Sequence, residues 1–121
     1  MAIGLVIIGV IHVHSQEKYS VLTNDAVISA DMIGCVLPEQ TYRAFDLMIN
    51  QNDVSGAADF LAPLQRLDMC RWIEKGAHVA IEGERSASKS PIPHVGALIC
   101  ARPRGVGQCF WIVKPDDISS Q

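Results

Sequence analysis

The amino-acid sequence predicts a mainly β domain of the α+β class, in which a helical insert separates two groups of strands. Residues 3–37 are rich in β-branched residues, which favour strands. Apolar residues then recur at helical spacing between Pro38 and Lys75, and alternation with a period of two returns after Gly76. A chain of 121 residues is long enough for a single domain, residues 1–121, and too short for two independent cores.

Three strands are predicted before the helical insert. The first covers residues 3–14 and bends at Gly9, the second covers residues 19–22, and the third covers residues 26–37. Pro38 closes the third strand because proline has no N–H to donate to a neighbouring strand.

The insert is predicted to contain at least two helices. Pro38 suits the first turn of a helix, and the polar residues 50–53 break that helix. Ser55 is the expected N-cap of the next helix, which Pro63 interrupts or restarts and which continues at helical spacing through residue 73. Lys75-Gly76 then reads as a helix stop, because glycine readily adopts the left-handed conformation that ends many helices.

Two or three strands are predicted after the insert. Residues 77–84, 94–101 and 109–113 are the candidates, joined by a Ser/Pro/Lys loop and by a basic turn at residues 102–107. Three strands, helices and then two or three strands is the element order of an OB-fold, a small partly open barrel. The sequence therefore predicts an OB-fold-like small barrel with strands 1–3, helices, and strands 4–5 or 6.

The stretch from Trp72 to Arg85, in which Lys75-Gly76 precedes Val79, Ile81, Glu82 and Gly83, resembles the single-stranded-DNA-binding proteins of the bacterial SSB type. In these proteins a Lys-Gly stop leads into a strand of the form Val-x-Ile-Glu-Gly. The opening strand at residues 5–9 and the stretch at residues 19–27 are also similar to that family. The resemblance implies an OB-fold that holds single-stranded DNA or RNA across its barrel face. The positions that carry the main motif are Lys75, Gly76, Val79, Ile81, Glu82 and Gly83.

The charge distribution also points to an anionic partner. Net charge is −3, yet no acidic residue occurs from position 85 to position 115, where five basic residues fall. A local basic stretch on an acidic protein favours local contact with phosphate groups. Phe110 and Trp111 are the aromatic residues available to stack on bases, although alternation along a strand turns one of the two towards the core. The candidate nucleic-acid-binding residues are Arg85, Lys89, Arg102, Arg104, Trp111 and Phe110.

Two other kinds of function remain open. High apolar content, with no paired catalytic residues, favours a structural or assembly subunit that forms homo-oligomers, in which Cys70 and Trp72 belong to a subunit contact. Less favoured is a small metal-binding protein that uses His12 and His14, which alternate onto one face of a strand. We expect no catalytic activity, no cofactor and no metal.

The cysteines and the hydropathy pattern indicate a compartment. Cys35, Cys70, Cys100 and Cys109 show no CxxC spacing, so the simplest interpretation is four free thiols in a cytoplasmic protein. Residues 2–11 lack the basic start and the cleavage site of a signal peptide, and a buried strand explains them better. No apolar run reaches the roughly 18 residues that a membrane span needs, so no membrane association is expected.

Overall fold

The computed structural model describes residues 25–92 and 95–115. These residues form six strands and two helices, which confirms the mainly β, α+β class. The strands are β1 (Asp25–Val27), β2 (Met32–Cys35), β3 (Cys70–Ile73), β4 (His78–Arg85), β5 (Leu98–Pro103) and β6 (Phe110–Val113). The helices are α1 (Pro38–Phe45) and α2 (Val54–Arg66); a π-helical turn (Asp46–Asn50) follows α1, and a 3₁₀ turn (Ala87–Lys89) follows β4.

All six strands belong to one antiparallel sheet in the order β1-β4-β5-β6-β2-β3. The pairs β1/β4 and β2/β3 share a continuous register. Asp25 on β1 lies opposite Ala80 on β4, and Met32 on β2 lies opposite Ile73 on β3. Between these two pairs one segment advances by seven residues and the other goes back by seven, so the register does not shift. Residues 25–35 and 70–80 therefore form one bent ribbon, whose two halves lie at opposite edges of the sheet. Within the described residues β1 does not pair with β3, so the sheet is not closed into the barrel that the element order predicted.

A tight turn between β3 and β4 forms the corner of this ribbon. The Ala77 N–H donates to the Glu74 carbonyl at 3.0 Å, and Gly76 has a φ of 90°, which a side chain would disfavour. The Gly76 N–H donates to the Ile28 carbonyl at 2.7 Å, and the Lys75 N–H donates to the Asp31 carboxylate at 2.9 Å. The helix stop predicted at Lys75-Gly76 is therefore wrong, because these residues join two strands.

The second helix ends earlier than the apolar spacing predicted. After α2, Asp68 adopts a φ of 58°, and the Met69 N–H donates back to the Leu64 carbonyl at 2.7 Å. The chain then enters β3, where Cys70 and Ile73 are both buried although they face opposite sides of the sheet. Because both faces are covered at these two positions, buried residues on opposite faces of the strand are three residues apart, which is also the spacing of a helix face.

The helix starts agree only in part with the sequence prediction. Pro38 begins α1 as predicted, and residues 51–53 separate the two helical segments, whereas Asn50 still belongs to the π-helical turn. The next helix continues through Pro63 without interruption. The N-cap of α2 is Asp53 rather than Ser55, because the Asp53 carboxylate accepts a hydrogen bond from the Gly56 N–H at 2.8 Å. A carboxylate at this position also interacts favourably with the positive end of the helix dipole.

Apolar side chains cover both faces of the sheet. One face carries the larger core, which includes residues from the centre and from both edges: Ile28, Ile73, Val79, Ile99, Ala101, Phe110 and Ile112. We call the other face the helix-covered face, because α1 and α2 pack on β2, β3 and β6 there. Its buried residues include Ile33, Cys35, Ala44, Leu61, Cys70 and Leu98.

The predicted strands at 77–84 and 109–113 are confirmed, and that at 94–101 is realised as β5, whereas residues 3–14 and 19–22 lie outside the described residues.

The structure pairs all four cysteines, so the prediction of free thiols is wrong. Cys35 forms a disulfide with Cys70, and Cys100 forms one with Cys109, with Cα–Cα distances of 4.0 and 5.4 Å. Each pair bridges two adjacent antiparallel strands or their ends. The cysteines are close because of the strand register and not because of their spacing in the sequence.

In the part of the chain that the structure describes, no helix is long and apolar enough to cross a membrane.

Candidate functional site

The two adjacent aromatic residues of β6 face opposite sides of the sheet. Phe110 is 0% exposed in the larger core, so its ring is not available to stack on a base. Trp111 is half-buried on the helix-covered face, where its indole lies beside the backbone of Gly83; a Cβ at Gly83 would be 3.7 Å from it. The Thr41 hydroxyl donates to the Trp111 carbonyl at 2.7 Å and ties this strand to α1. Of the predicted stacking residues, Trp111 alone is accessible.

Two of the four predicted phosphate contacts are engaged in ion pairs. The Arg102 Nε donates to the Glu82 carboxylate of β4 at 2.5 Å. A nitrogen of the Arg104 guanidinium lies 3.7 Å from the Asp25 carboxylate of β1, in a pair that is largely exposed. A third base of the acid-free stretch, Lys114, lies 3.4 Å from Glu84. Acidic residues from β1 and β4 therefore neutralise much of the charge that the linear sequence suggested.

The other two predicted phosphate contacts have no such partner. Arg85 ends β4, and Lys89 is exposed in the 3₁₀ turn that follows. Neither side chain forms an ion pair with any described residue. These two cations are the part of the basic stretch that is available to an anion.

The strand register places part of the predicted site in one row. Arg85 lies opposite Leu98 at the start of β5, Trp111 lies opposite Cys100, and Arg102 lies on β5 itself, all on the helix-covered face. Leu98 and Arg102 are four residues apart, which is roughly 13 Å along a strand. Arg104 lies in the turn after β5 near β1, so the structure does not bring it together with Lys89.

The structure defines an apolar surface around Trp72, one of the two residues that the sequence assigned to a subunit contact. The other, Cys70, is 1% exposed and disulfide-bonded to Cys35, so it is not available for such a contact. The Trp72 side chain is 47% exposed on the edge strand β3, on the helix-covered face, where it borders a groove of about 150 Å³. Val54, at the start of α2, is 67% exposed at the same groove. We call this area the Trp72 surface. The residues that line its groove are Met48, Val54, Ala57, Ala58, Leu61, Gln65 and Trp72.

The outward face of α2 adjoins the Trp72 surface and carries one charge of each sign. Ala57 and Leu61 are buried against the sheet, so Asp59 and Arg66 lie on the opposite side of the helix and are exposed. These two residues are seven positions apart, which is close to two helical turns and places them on one face. Neither forms an ion pair within the described part of the chain.

One buried polar group lies near Trp111. Tyr42 of α1 is 4% exposed and packs with Val95 and Leu98. Its hydroxyl has no hydrogen-bond partner among the described residues. Burying an unpaired hydroxyl destabilises a fold, so Tyr42 is a point at which the structure can be tested.

The metal-binding alternative falls outside what the structure describes. His12 and His14 lie in residues 1–24, which are not described. Among residues 25–92 and 95–115 there is no group of three or more His, Cys, Asp or Glu side chains that could hold a metal ion. The structure thus does not test binding of a metal by the two histidines.

Comparisons with known proteins add no relative. No protein-family model, no curated protein and no solved structure matches the chain. The resemblance to single-stranded-DNA-binding proteins therefore depends on the sequence alone: on the motif between Trp72 and Arg85 and on the similar stretches at residues 5–9 and 19–27. In the structure that motif begins in β3 and turns into β4.

Proposed function

We propose that this chain is a non-catalytic assembly domain that associates with a second copy of itself through the Trp72 surface. The observation that carries this proposal is the 47% exposed indole of Trp72 beside an apolar groove. Tryptophan is enriched among the residues that dominate binding energy at protein interfaces, because its large ring removes much apolar area from water.

A neighbouring residue extends the apolar area. Val54 borders the groove and is 67% exposed. Single exposed apolar residues are ordinary, but an apolar groove with large exposed side chains around it is typical of an interaction site. A second copy is a suitable occupant because Asp59 and Arg66 give the adjoining helix face both signs of charge, as a self-complementary contact requires.

Sedimentation equilibrium tests this proposal. The wild-type chain, of 13.2 kDa, should show a mass that rises with concentration towards that of a dimer. Trp72→Ser should weaken the association by about 2 kcal/mol, which is roughly thirtyfold in Kd. Val27→Ser is the matched control, because Val27 is also 51% exposed but lies on β1 at the opposite edge of the sheet. A wild-type chain that stays monomeric at high concentration would refute the proposal.

A second candidate function is binding of single-stranded nucleic acid by an OB-fold-like arrangement. Two observations favour it: Arg85 and Lys89 have no ion-pair partner among the described residues, and Trp111 lies on the same face as Arg85. Unpaired cations suit phosphate oxygens, and an accessible indole suits base stacking. The bent ribbon supports a barrel-like path for the chain, and the SSB-type resemblance belongs to this candidate.

The two disulfides favour one kind of cellular compartment for either function. Disulfides persist in oxidising compartments and are rare in the cytoplasm. The pairs Cys35–Cys70 and Cys100–Cys109 thus favour an oxidising compartment over the cytoplasmic location that free thiols suggested. Nucleic acid is a less common partner there, which is one reason to rank assembly first.

A further inference from the structure

The geometry of α2 points to a specific arrangement of the two copies. We propose that α2 packs antiparallel against α2 of the second copy across a twofold axis near Ala62, so that Asp59 of each copy pairs with Arg66 of the other. This inference rests on the proposed association through the Trp72 surface and adds the symmetry, the register and the ion pairs.

The two charges are placed for contact between copies and not within one helix. Asp59 and Arg66 are separated by seven residues, which is about 10.5 Å along the helix axis. That distance is too long for an ion pair within the helix. Both side chains are exposed on the outward face, so each is free to meet a charge on another molecule.

The signs of the charges select the antiparallel orientation. A twofold axis perpendicular to the helix brings residue 59 of one copy opposite residue 66 of the other, and the pair occurs twice. A parallel arrangement about a twofold axis would oppose Asp59 to Asp59 and Arg66 to Arg66. Ser55, Ala58 and Ala62 are small residues on this side of the helix, so the two helices can approach to the usual 8–10 Å.

The same arrangement brings the grooves of the two copies together. Ala58 lines the groove of the Trp72 surface and lies one helical turn from Ala62, beside the twofold axis. The two grooves therefore lie side by side along one edge of the helix pair. One arrangement thus accounts for both the exposed groove and the exposed charges.

Charge reversal with rescue tests the arrangement. Asp59→Arg and Arg66→Asp, made singly, each place like charges at both symmetric contacts and should raise the dimer Kd at least about tenfold in low salt. The double variant Asp59→Arg/Arg66→Asp exchanges the charges and should return the Kd to within about threefold of wild type. Glu39→Arg, an equal change of charge on the exposed side of α1, is the control and should leave the Kd unchanged. Thermal melting of every variant checks that the fold is retained.

The outcomes separate this inference from the function on which it rests. If Trp72→Ser weakens the dimer but the single reversals do not, the Trp72 surface is the interface and the antiparallel α2 arrangement is wrong. If the single reversals weaken the dimer and the double variant fails to restore it, the direct Asp59–Arg66 pairing is wrong. If the wild-type chain does not associate, both proposals are wrong.

Discussion

Cys35 and Cys70 lie directly opposite each other on β2 and β3. The Val36 N–H donates to the Met69 carbonyl at 2.8 Å, so the neighbouring pair of residues is the hydrogen-bonded one. The two cysteines therefore occupy a non-hydrogen-bonded position, where facing side chains of antiparallel strands come closest. This position explains a Cα–Cα distance of 4.0 Å and a disulfide that joins residues 35 positions apart.

The disulfides lead to a prediction about thiols and stability. Thiol titration of the unfolded protein without reductant should count no free thiols, and titration after reduction should count four. Four thiols without reductant would contradict the pairing.

The two disulfides should also differ in how much they stabilise the fold. The Cys35–Cys70 bond closes a loop of 35 residues and the Cys100–Cys109 bond one of 9. In the chain-entropy model these loops correspond to about 4 and about 2.5 kcal/mol of stabilisation. Denaturant unfolding should thus show a larger loss in the free energy of unfolding for Cys35→Ala/Cys70→Ala than for Cys100→Ala/Cys109→Ala.

Gly34 is predicted to be intolerant of any side chain. A Cβ at this position would lie 2.8 Å from Ile112 Cγ2 and 2.9 Å from Phe110 Cβ, both of which are fixed in the larger core. Gly34→Ala should therefore lower the free energy of unfolding by about 1–3 kcal/mol, as overpacking of a core does. Gly96→Ala is the matched control, because a Cβ there meets no atom within 4 Å. Equal stability of the two variants would show that β2 and β6 are farther apart than described.

The Tyr42 hydroxyl leads to a prediction in which a substitution does not lower the free energy of unfolding. Its hydroxyl is buried and has no hydrogen-bond partner in the described part of the chain. Tyr42→Phe removes this group and keeps the ring, so the free energy of unfolding should be unchanged or should rise by roughly 1 kcal/mol. Equilibrium unfolding in urea measures the difference. A loss of more than about 1 kcal/mol would mean that the hydroxyl has a partner in the folded protein.

The amino-acid sequence predicts the structure best where the structural signal is local. Pro38 begins a helix because its fixed φ and missing N–H suit a first turn. The alternation at residues 77–84 became β4, in which Val79 is buried and the flanking His78 is exposed. Both features depend on neighbours along the chain and need no knowledge of tertiary packing.

The sequence predictions are wrong where contacts between residues distant in the sequence determine the structure. Cys70 and Ile73 are spaced as on one face of a helix, but they are buried on opposite faces of β3, which depends on how the sheet and helices pack. The acid-free stretch seemed basic because Glu82 and Asp25 reach it only through strand pairing. The sequence placed Trp72 in a subunit contact but on a helix, and it did not predict the groove, which joins β3 to a helix that the sequence did not separate from it.

Arg85 and Lys89 allow the second candidate function to be tested quantitatively. They are the predicted phosphate contacts without an ion-pair partner among the described residues, so single-stranded nucleic acid should contact about two phosphates through them. The slope of log K against log salt for a single-stranded oligonucleotide should then be about −1.4. Arg85→Ala/Lys89→Ala should bring that slope close to zero and leave folding intact, since these side chains lie at a strand end and in an exposed turn.

Three further variants separate this mechanism from general charge attraction. Arg66→Ala/Lys75→Ala removes two other exposed cations and should leave the slope unchanged if the contacts are local. Arg102→Ala should have a small effect, because its guanidinium is already paired with Glu82. Trp111→Leu should lower affinity by a similar factor at every salt concentration, because stacking releases no counterions. If no oligonucleotide binds even at low salt, Arg85 and Lys89 are ordinary surface cations, and the nucleic-acid-binding candidate is wrong.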